Sequence, residues 1–262
     1  MGVTMDPKVT FIVAHHNYQQ YLEGCVMSAL NQTYSNVHVC VIDDCSKDTA
    51  SVQKILEECA ETPFLDQEVA PNQLVYRSPT VTYVQLVKQG LGSYRQAYAR
   101  NRGIEVCWDD TDIFAILDAD DENYPTKIER CVEVLQSDAR IGAVYTDTNI
   151  VQVEDNRMVR EYREPFDYFR LMQECIVHSG CVIKKEALAD VLENGKVFDE
   201  ELPPCEDYDL WVRLAEKFLF YHIPEPLVYV RVHPQNSTCT STHEHRMSRI
   251  QRIFQKRQQR LQ

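Results

Sequence analysis

The sequence predicts an α/β fold in which helices cover both faces of a mainly parallel central sheet, a three-layer αβα sandwich. Short apolar runs rich in β-branched residues alternate with segments whose apolar residues recur at helical spacing. Such alternation is typical of β-α-β units, whose right-handed crossovers place helices on both faces of the sheet. The chain of 262 residues, 44% of them hydrophobic, is long enough for one large domain or two closely packed halves.

The first half of the chain contains the clearest alternation. Strands are predicted at 9–14, 37–42, 81–87 and 113–117, and helices at about 22–30, 48–60 and 93–106. Three prolines make an irregular segment the prediction for 61–80.

The second half has a different pattern. A helix is predicted around 128–135, a long strand or hairpin arm at 142–153, an apolar run at 175–183, a helix at 207–218 and a strand at 226–232. The polar stretch 234–242 suits either a linker or a mobile lid. We therefore expect 1–121 and 122–242 to form two halves of one domain, followed by a C-terminal helix at 243–262.

That last segment is basic, whereas the chain as a whole is acidic, with a net charge of −13. Met247, Ile250, Phe254 and Leu261 share one face of the predicted helix. A basic amphipathic helix either packs on its own domain or contacts an anionic membrane surface, and both interpretations remain open here. The acidity of the rest of the chain argues against nucleic acid as a partner.

The ten cysteines include no C-x-x-C pair and no zinc-like spacing, so we expect buried free thiols. No apolar run approaches the roughly 20 residues needed to span a bilayer. The first residues also lack the pattern of a signal peptide. We therefore expect a cytoplasmic protein, membrane-associated only if the C-terminal helix contacts lipid.

Polar corners follow three of the predicted strands. They are His15–Asn17, Asp43–Asp44 and Asp118–Asp121. In parallel α/β sheets ligands bind beyond the carboxyl ends of the strands, so these corners predict a site. Asp118 and Asp120 also form a D-x-D pair, and hard cations such as Mg²⁺ and Mn²⁺ prefer carboxylate oxygens.

Seven ordered motifs carry a family resemblance. They are Val9–Asn17, Ser28–Tyr34, Val41–Thr49, Ala99–Ile104, Leu117–Asp121, Cys205–Leu214 and Tyr229–Ser237. Over about residues 8–235 the chain resembles the family 2 glycosyltransferases. The resemblance implies a GT-A fold and inverting transfer of a sugar from a nucleoside-diphosphate donor, UDP by family habit, to an acceptor hydroxyl. One departure is His15–His16, where the family commonly has Pro-Thr or a similar pair.

The resemblance also implies roles in donor binding. The corner at 14–17 would lie against the base, and Asp43 or Asp44 would accept a hydrogen bond from uracil N3. Arg100 would lie over the nucleotide or hold the aspartates in place, with a structural salt bridge as the alternative. The donor-binding residues implied are Ala14, His15, Asn17, Asp43, Asp44, Arg100, Asp118 and Arg231.

A divalent cation, Mn²⁺ or Mg²⁺, would help an acidic protein bind an anionic donor. Asp118 would face the ribose and Asp120 would bind the metal, with Asp118 as a possible second ligand. His233 would bind the metal or a phosphate, and Arg231 would neutralise the departing diphosphate.

Inverting transfer needs a carboxylate that takes the proton of the acceptor hydroxyl. By the resemblance Asp207 is this base, ahead of Glu206, although acids at a helix N-terminus are often only caps. Asp209 would orient an acceptor hydroxyl, and His178 lies in the half expected to form the acceptor pocket. The acceptor itself, a glycan, a lipid-linked sugar or another hydroxyl compound, is not named by any motif.

Two other classes of protein share parts of this pattern. A sugar-phosphate nucleotidyltransferase would share the sheet and the paired acids, but it usually has a glycine-rich phosphate loop where this chain has His15–Asn17. A nucleotide- or glycan-binding module of the same fold without catalytic activity is the second class. Because both Asp118–Asp120 and Glu206–Asp207 are present, its lack of activity would have to come from elsewhere in the chain.

Overall fold

The structure is a computed structural model that describes residues 6–88, 92–202, 204–236, 243–260 and 262, except for the side chains of 245 and 246. Its strands form one sheet with the order β3-β4-β5-β2-β1-β6-β10-β8-β11-β7, and β9 pairs with β8. The bounds of the strands are β1 Val9–His15, β2 Val37–Asp43, β3 Asp66–Ala70, β4 Gln73–Arg77, β5 Val81–Leu86, β6 Ile113–Asp118, β7 Glu122–Asn123, β8 Ile141–Gln152, β9 Arg157–Glu161, β10 Val182–Lys184 and β11 Leu219–Val232.

The helices lie on both faces of this sheet. Their bounds are α1 Gln19–Leu30, α2 Thr49–Ala60, α3 Gln96–Cys107, α4 Lys127–Ser137, α5 Tyr168–Leu171, α6 Lys185–Asp190, α7 Glu206–Ala215 and α8 His243–Arg260. Side chains alternate across each strand, so Phe11 and Val41 pack in one core while Ile12 and Ile42 pack in another. Helices α1, α2 and α4 contribute to the first core, and α3, α6 and α7 to the second.

The parallel strands β5, β2, β1 and β6 form the part of the sheet that carries the predicted corners. Each of them is mostly apolar and is buried along most of its length because both of its faces are covered. The second half adds β8 and β11, which are parallel to each other, and β10, which runs antiparallel to its neighbours. The predicted α/β three-layer fold is confirmed.

The segment 61–80 differs from its prediction. It contains the antiparallel strands β3 and β4, which pair with each other and extend the sheet at one edge. Pro71 lies in the turn between the two strands, and Asn72 there has a φ of 63°. The prolines therefore flank the strands rather than interrupt them.

The C-terminal helix α8 packs on its own domain. Ile253 is fully buried, Phe254 makes an edge contact with Tyr208 at 6.2 Å, and Ile250 is partly buried against the same core. Met247, which the sequence places on the same apolar face as Ile250 and Phe254, is 41% exposed, and Leu261 lies outside the described residues.

The described cysteines are all free and none is exposed, as the sequence predicts, while Cys239 lies outside the described residues. Within the described part of the chain, no helix has both the length and the apolar character required to cross a membrane.

Candidate active site

A cleft of about 600 Å³ opens where the parallel strands end. The predicted residues that line it are Ala14, His15, Asp44, Asp118, Asp120, His178, Asp207 and Arg231. Asp118 and Asp120 come from the end of β6, Arg231 from β11, and Asp207 from the first turn of α7. The structure therefore brings residues that are more than 200 positions apart in the chain to one cleft, as the strand-end argument requires.

Asp43 lies behind the lining of the cleft rather than in it. Its side chain is fully buried, accepts a hydrogen bond from the amide of Ser46 at 3.0 Å and from the hydroxyl of Tyr83 at 3.2 Å, and lies 3.5 Å from Nδ1 of His15. Burial alone would raise the pKa of Asp43, but His15 and Ser46 outweigh it and lower that pKa below its usual value. Asp43 thus holds the strand ends together.

Asp44 does face the cleft, and its carboxylate is already engaged. Oδ1 accepts a hydrogen bond from the amide of Tyr94 at 2.6 Å, and Oδ2 accepts one from the amide of Arg95 at 2.7 Å. Each carboxylate oxygen can accept a second hydrogen bond. Asp44 can therefore fix the segment before α3 and still accept from a ligand.

Asn17 does not line the cleft but stabilises the turn that follows β1. Its φ is 58°, and its side-chain oxygen accepts a hydrogen bond from the amide of Lys47 at 2.9 Å. The backbone amide of Asn17 donates a hydrogen bond to the hydroxyl of Ser46 at 2.9 Å. These bonds join the loop after β1 to the loop after β2.

Asp118 is held by three donors. Its Oδ1 accepts hydrogen bonds from Nη2 of Arg100 at 2.5 Å and from Nε2 of Gln96 at 2.7 Å. Its Oδ2 accepts one from the hydroxyl of Ser179 at 2.9 Å. The side chain remains 23% exposed, so this fixed carboxylate still presents an edge to the cleft.

Asp120 is the more protected carboxylate of the D-x-D pair. Its Oδ2 lies 3.0 Å from Nε2 of His233 and accepts a hydrogen bond from Nδ2 of Asn236 at 2.8 Å. On the other side of the ring, the backbone amide of Gln235 lies 3.2 Å from Nδ1 of His233. Burial, together with the charge of Asp118, raises the pKa of Asp120.

Arg231 reaches the cleft but is paired within the protein. Its guanidinium forms an ion pair with Glu122 and donates a hydrogen bond to the backbone oxygen of Asp120 at 2.8 Å. Its backbone amide donates to Oδ1 of Asp121 at 2.9 Å. Arg231 thus links β11 to the acidic corner after β6.

Glu206 and Asp207 begin α7, and only Asp207 lines the main cleft. Glu206 is buried, with one oxygen 3.5 Å from Nη1 of Arg100, and its other oxygen has no hydrogen-bond partner among the described residues. Burial raises the pKa of Glu206 to about 7. Burial also raises the pKa of Asp207, which accepts a hydrogen bond from the amide of Tyr208 at 2.7 Å. Arg100, 2% exposed between Asp118 and Glu206, holds these carboxylates from behind.

Asp209 is not brought to the cleft. It is fully buried on the opposite side of α7, where Oδ2 accepts a hydrogen bond from Nε of Arg213 at 2.8 Å. Nζ of Lys256 lies 3.7 Å from its other oxygen. These contacts correspond to a structural role that joins α7 to α8.

His178 lines the cleft with little exposure. Its ring nitrogens face two backbone amides, Nε2 toward that of Thr146 at 3.3 Å and Nδ1 toward that of Gly180 at 3.0 Å. Burial lowers the pKa of His178 well below its usual value, so the ring is neutral at pH 7.

Several residues of the cleft were not predicted from the sequence. Ser93, Arg95 and Gln96 line it between β5 and α3, and Glu161 and Arg163 line it from the end of β9. Since β5 is also parallel to β2, the strand-end argument that identified the other corners could have found residues 93–96. Nothing in the pattern around 161–163 indicates a site.

The fold and the cleft together define an α/β enzyme with an acidic site at the carboxyl ends of parallel strands. The model of the family described as "Glycosyl transferase family 2" matches residues 10–191, which is most of the chain. The chain therefore belongs to glycosyl transferase family 2 and is a glycosyltransferase enzyme.

Individual proteins agree with this assignment. The chain is 29% identical over 236 residues to a chondroitin synthase of Escherichia coli, which covers 88% of this chain and 30% of that protein. Its structure is similar to S. aureus TarS 1–349 in complex with UDP, with a TM-score of 0.64 at 17% identity, covering 87% of this chain and 61% of that one. It is also similar to the mannosyltransferase PcManGT from Pyrobaculum calidifontis in complex with GDP-Man and Mn²⁺, with a TM-score of 0.63 at 18% identity, covering 98% and 65%.

At identities this low, the two structural similarities show the GT-A fold and do not by themselves assign a substrate to this chain. The chain spans only part of these proteins, down to 30% of the chondroitin synthase.

Proposed function

We propose that this chain is an inverting, metal-dependent glycosyltransferase that moves a sugar from a nucleoside-diphosphate donor, UDP in the first instance, to an acceptor hydroxyl. The donor occupies the half formed by 1–121, and the acceptor enters from the half formed by 122–242. The observation that carries this proposal is the placement of Asp118, Asp120 and Asp207 around one cleft of about 600 Å³.

The nucleotide binds where β1 and β2 end. Asp44 and the backbone around Ala14 and His15 line that part of the cleft, and Asp44 retains acceptor capacity for a ring N–H. Asp118, fixed by its three donors, is positioned to accept hydrogen bonds from the ribose. TarS, a protein of similar fold, is in complex with UDP, which supports a uridine nucleotide as the donor. PcManGT, also of similar fold, is in complex with GDP-Man, so guanosine nucleotides are included in the test.

A divalent cation fits the residues beside the ribose site. Within the described residues, no group of three or more His, Cys, Asp and Glu side chains could hold a metal ion alone. Asp120 and His233 lie 3.0 Å apart, and a carboxylate with an imidazole suits Mn²⁺ when donor phosphates complete the coordination. Such an ion, when bound, neutralises the diphosphate as a Lewis acid. PcManGT, whose structure holds Mn²⁺ with GDP-Man, supports this choice.

Asp207 acts as the base. The acceptor oxygen attacks the anomeric carbon from the face opposite the diphosphate, the bond from that carbon to the diphosphate oxygen breaks, and the hydroxyl proton passes to Asp207. Among the two candidate carboxylates, Asp207 lines the main cleft, whereas Glu206 lies behind it against Arg100. Glu206 therefore maintains the position of Arg100 and does not touch the acceptor.

The test is release of nucleoside diphosphate from a panel of UDP-, GDP- and dTDP-sugars in the presence of Mn²⁺. Water or an added glycan serves as the acceptor. For the active donor, Asp207→Asn should lower the rate by about 10²–10⁴ while leaving the dissociation constant of the nucleoside diphosphate unchanged. Asparagine preserves the size of the side chain but cannot take the proton of the acceptor hydroxyl. The variant therefore tests the transfer step separately from donor binding.

Asp155→Asn is the matched control, because Asp155 is exposed in the turn between β8 and β9. Near-normal turnover in Asp207→Asn would show that the base has been misassigned. Binding of a nucleotide without release from any donor would instead favour the catalytically silent module.

A further inference from the structure

The cationic side chains of the cleft differ in what they contact. Arg231 is paired with Glu122, and Arg163 forms an ion pair with Glu161 at 2.5 Å. Arg95 also lines the cleft and is exposed, and its guanidinium has no hydrogen bond or ion pair to any of the described residues. Among these three, Arg95 alone has its whole charge available to a ligand.

The backbone of Arg95 is unusual for its residue type. Its φ is 85° and its ψ is 164°, a conformation adopted almost only by glycine. The amide of Arg95 donates to Oδ2 of Asp44 at 2.7 Å, and this bond helps to keep the residue in place. A glycine would satisfy the same backbone without strain, so the conformation alone does not account for an arginine here.

Arg95 also lies between the two acidic corners of the proposed donor site. Its own amide bonds to Asp44, and the next side chain, Gln96, donates to Asp118 at 2.7 Å. In the proposed function Asp44 contacts the base and Asp118 the ribose. A long cationic side chain that begins between them can reach the phosphates that continue from the ribose.

We propose that Arg95 binds the diphosphate of the nucleotide donor. This inference rests on the proposed function and adds a residue that the family motifs do not contain. The cleft is lined by the carboxylates of Asp44, Asp118, Asp120, Asp121, Glu161 and Asp207, so an anionic donor meets an unfavourable field there. A guanidinium offers a planar pair of donors suited to phosphate oxygens and offsets part of that repulsion.

The experiment compares Arg95→Gly and Arg95→Gln with the wild-type chain by calorimetry. The ligands are UDP and uridine, and GDP and guanosine, each in Mn²⁺. For the nucleotide that binds, both variants should lower the affinity for the nucleoside diphosphate about tenfold. They should change the affinity for the nucleoside by no more than about twofold, since only the diphosphate carries the phosphate oxygens. Arg95→Lys should recover part of the loss, and the loss should shrink at high salt.

Glu61→Gly is the matched control for backbone strain. Glu61 also has a positive φ, 52°, but lies at the exposed C-terminal end of α2, away from the cleft. It should leave both affinities unchanged, and thermal unfolding confirms that each variant is folded.

If the variants weaken the binding of the nucleoside diphosphate and of the nucleoside equally, Arg95 contacts the base or supports the loop. If they weaken the binding of neither ligand, Arg95 does not contact the donor. Each result overturns the inference. A wild-type chain that binds no nucleoside diphosphate would overturn the proposed function as well, which separates the two failures.

Discussion

Replacing Lys256 with methionine removes the central cation of the ion-pair network that joins α8 to the rest of the domain. Nζ of Lys256 lies 2.6 Å from Glu193, 2.7 Å from Asp199 and 3.7 Å from Asp209. The side chain is 21% exposed, so the network is screened less than a surface pair. Methionine keeps the length and apolar stem of lysine, and the change therefore isolates the charge.

The expected cost follows from this burial. Losing one partner of a fully buried pair costs about 3–5 kcal/mol, and an exposed pair contributes about 0–1 kcal/mol. Lys256 lies between these limits. Its loss removes the ion-pair partner of Asp199, while Glu193 keeps Arg260 and Asp209 keeps Arg213, so we expect a loss of about 2 kcal/mol in the free energy of unfolding. For a chain of this size that corresponds to a fall in Tm of about 4–8 °C.

The pH dependence has a definite sign. Burial would lower the pKa of Lys256, but its hydrogen bonds to Asp199 and Glu193 outweigh burial and raise that pKa. A raised lysine pKa gives stability that is fully present below the unfolded-state pKa and is lost as the pH rises through the folded-state pKa. The difference between wild type and Lys256→Met should thus stay constant around pH 7. It should shrink at alkaline pH as Lys256 loses its proton, and at acid pH as Glu193 and Asp199, whose pKa values Lys256 helps to lower, become protonated.

The assay is denaturant unfolding, with Lys54→Met as the control. Lys54 is 77% exposed and lies 3.7 Å from Glu58, so its loss should cost no more than about 0.5 kcal/mol. Equal stabilities of the two variants would refute the argument. Unchanged stability of Lys256→Met, with weaker binding to vesicles of anionic lipid, would mean that α8 uses its charge on a membrane.

Two further predictions concern buried groups. Because burial raises the pKa of Glu206 to about 7 from a usual 4.5, the folded state holds its proton over that range, and wild-type stability should fall as the pH rises through it. Glu206→Gln should abolish this part of the pH dependence in unfolding measurements, and an unchanged profile would contradict the assignment. Gly103→Ala should cost about 1–3 kcal/mol, because its Cβ would lie 2.4 Å from Cδ1 of Ile42. Removing that atom with Ile42→Val should make the double variant less destabilised than the sum of the two single variants, and strict additivity would argue against the contact.

Much of the site follows from strand ends and motifs. Asp44, Asp118 and Asp120 come directly after apolar strands, and the parallel order of those strands brings them together whatever the rest of the chain does. Asp43 looks identical to Asp44 in the sequence. Only the structure shows that Asp43, the last residue of β2, is turned toward His15 in the interior while Asp44 faces the cleft.

Asp209 illustrates an inference that helical geometry could have excluded. With 3.6 residues in each turn, positions two apart point to nearly opposite sides of a helix. If Asp207 faces the cleft, Asp209 must therefore face away, and it does, toward Arg213.

Other features depend on long-range contacts that no local pattern records. The ion pair between Glu161 and Arg163 reaches the cleft only because β9 folds back on β8. Ser179 donates to Asp118 because the loop before β10 passes below the cleft, 61 positions further along the chain. The partners of the basic residues in α8 are equally distant, which is why the sequence leaves two interpretations for that helix.

In the proposed function, Asp120 and His233 hold a metal ion that links the donor to the protein. The most direct measurement is the affinity for UDP and for GDP, each with and without Mn²⁺, in the wild-type chain, in Asp120→Asn and in the exposed control Asp155→Asn. We expect Mn²⁺ to tighten the binding of one nucleotide in the wild type and the control, and Asp120→Asn to lose that increase while keeping its metal-free affinity. An increase of the same size in Asp120→Asn would contradict the account.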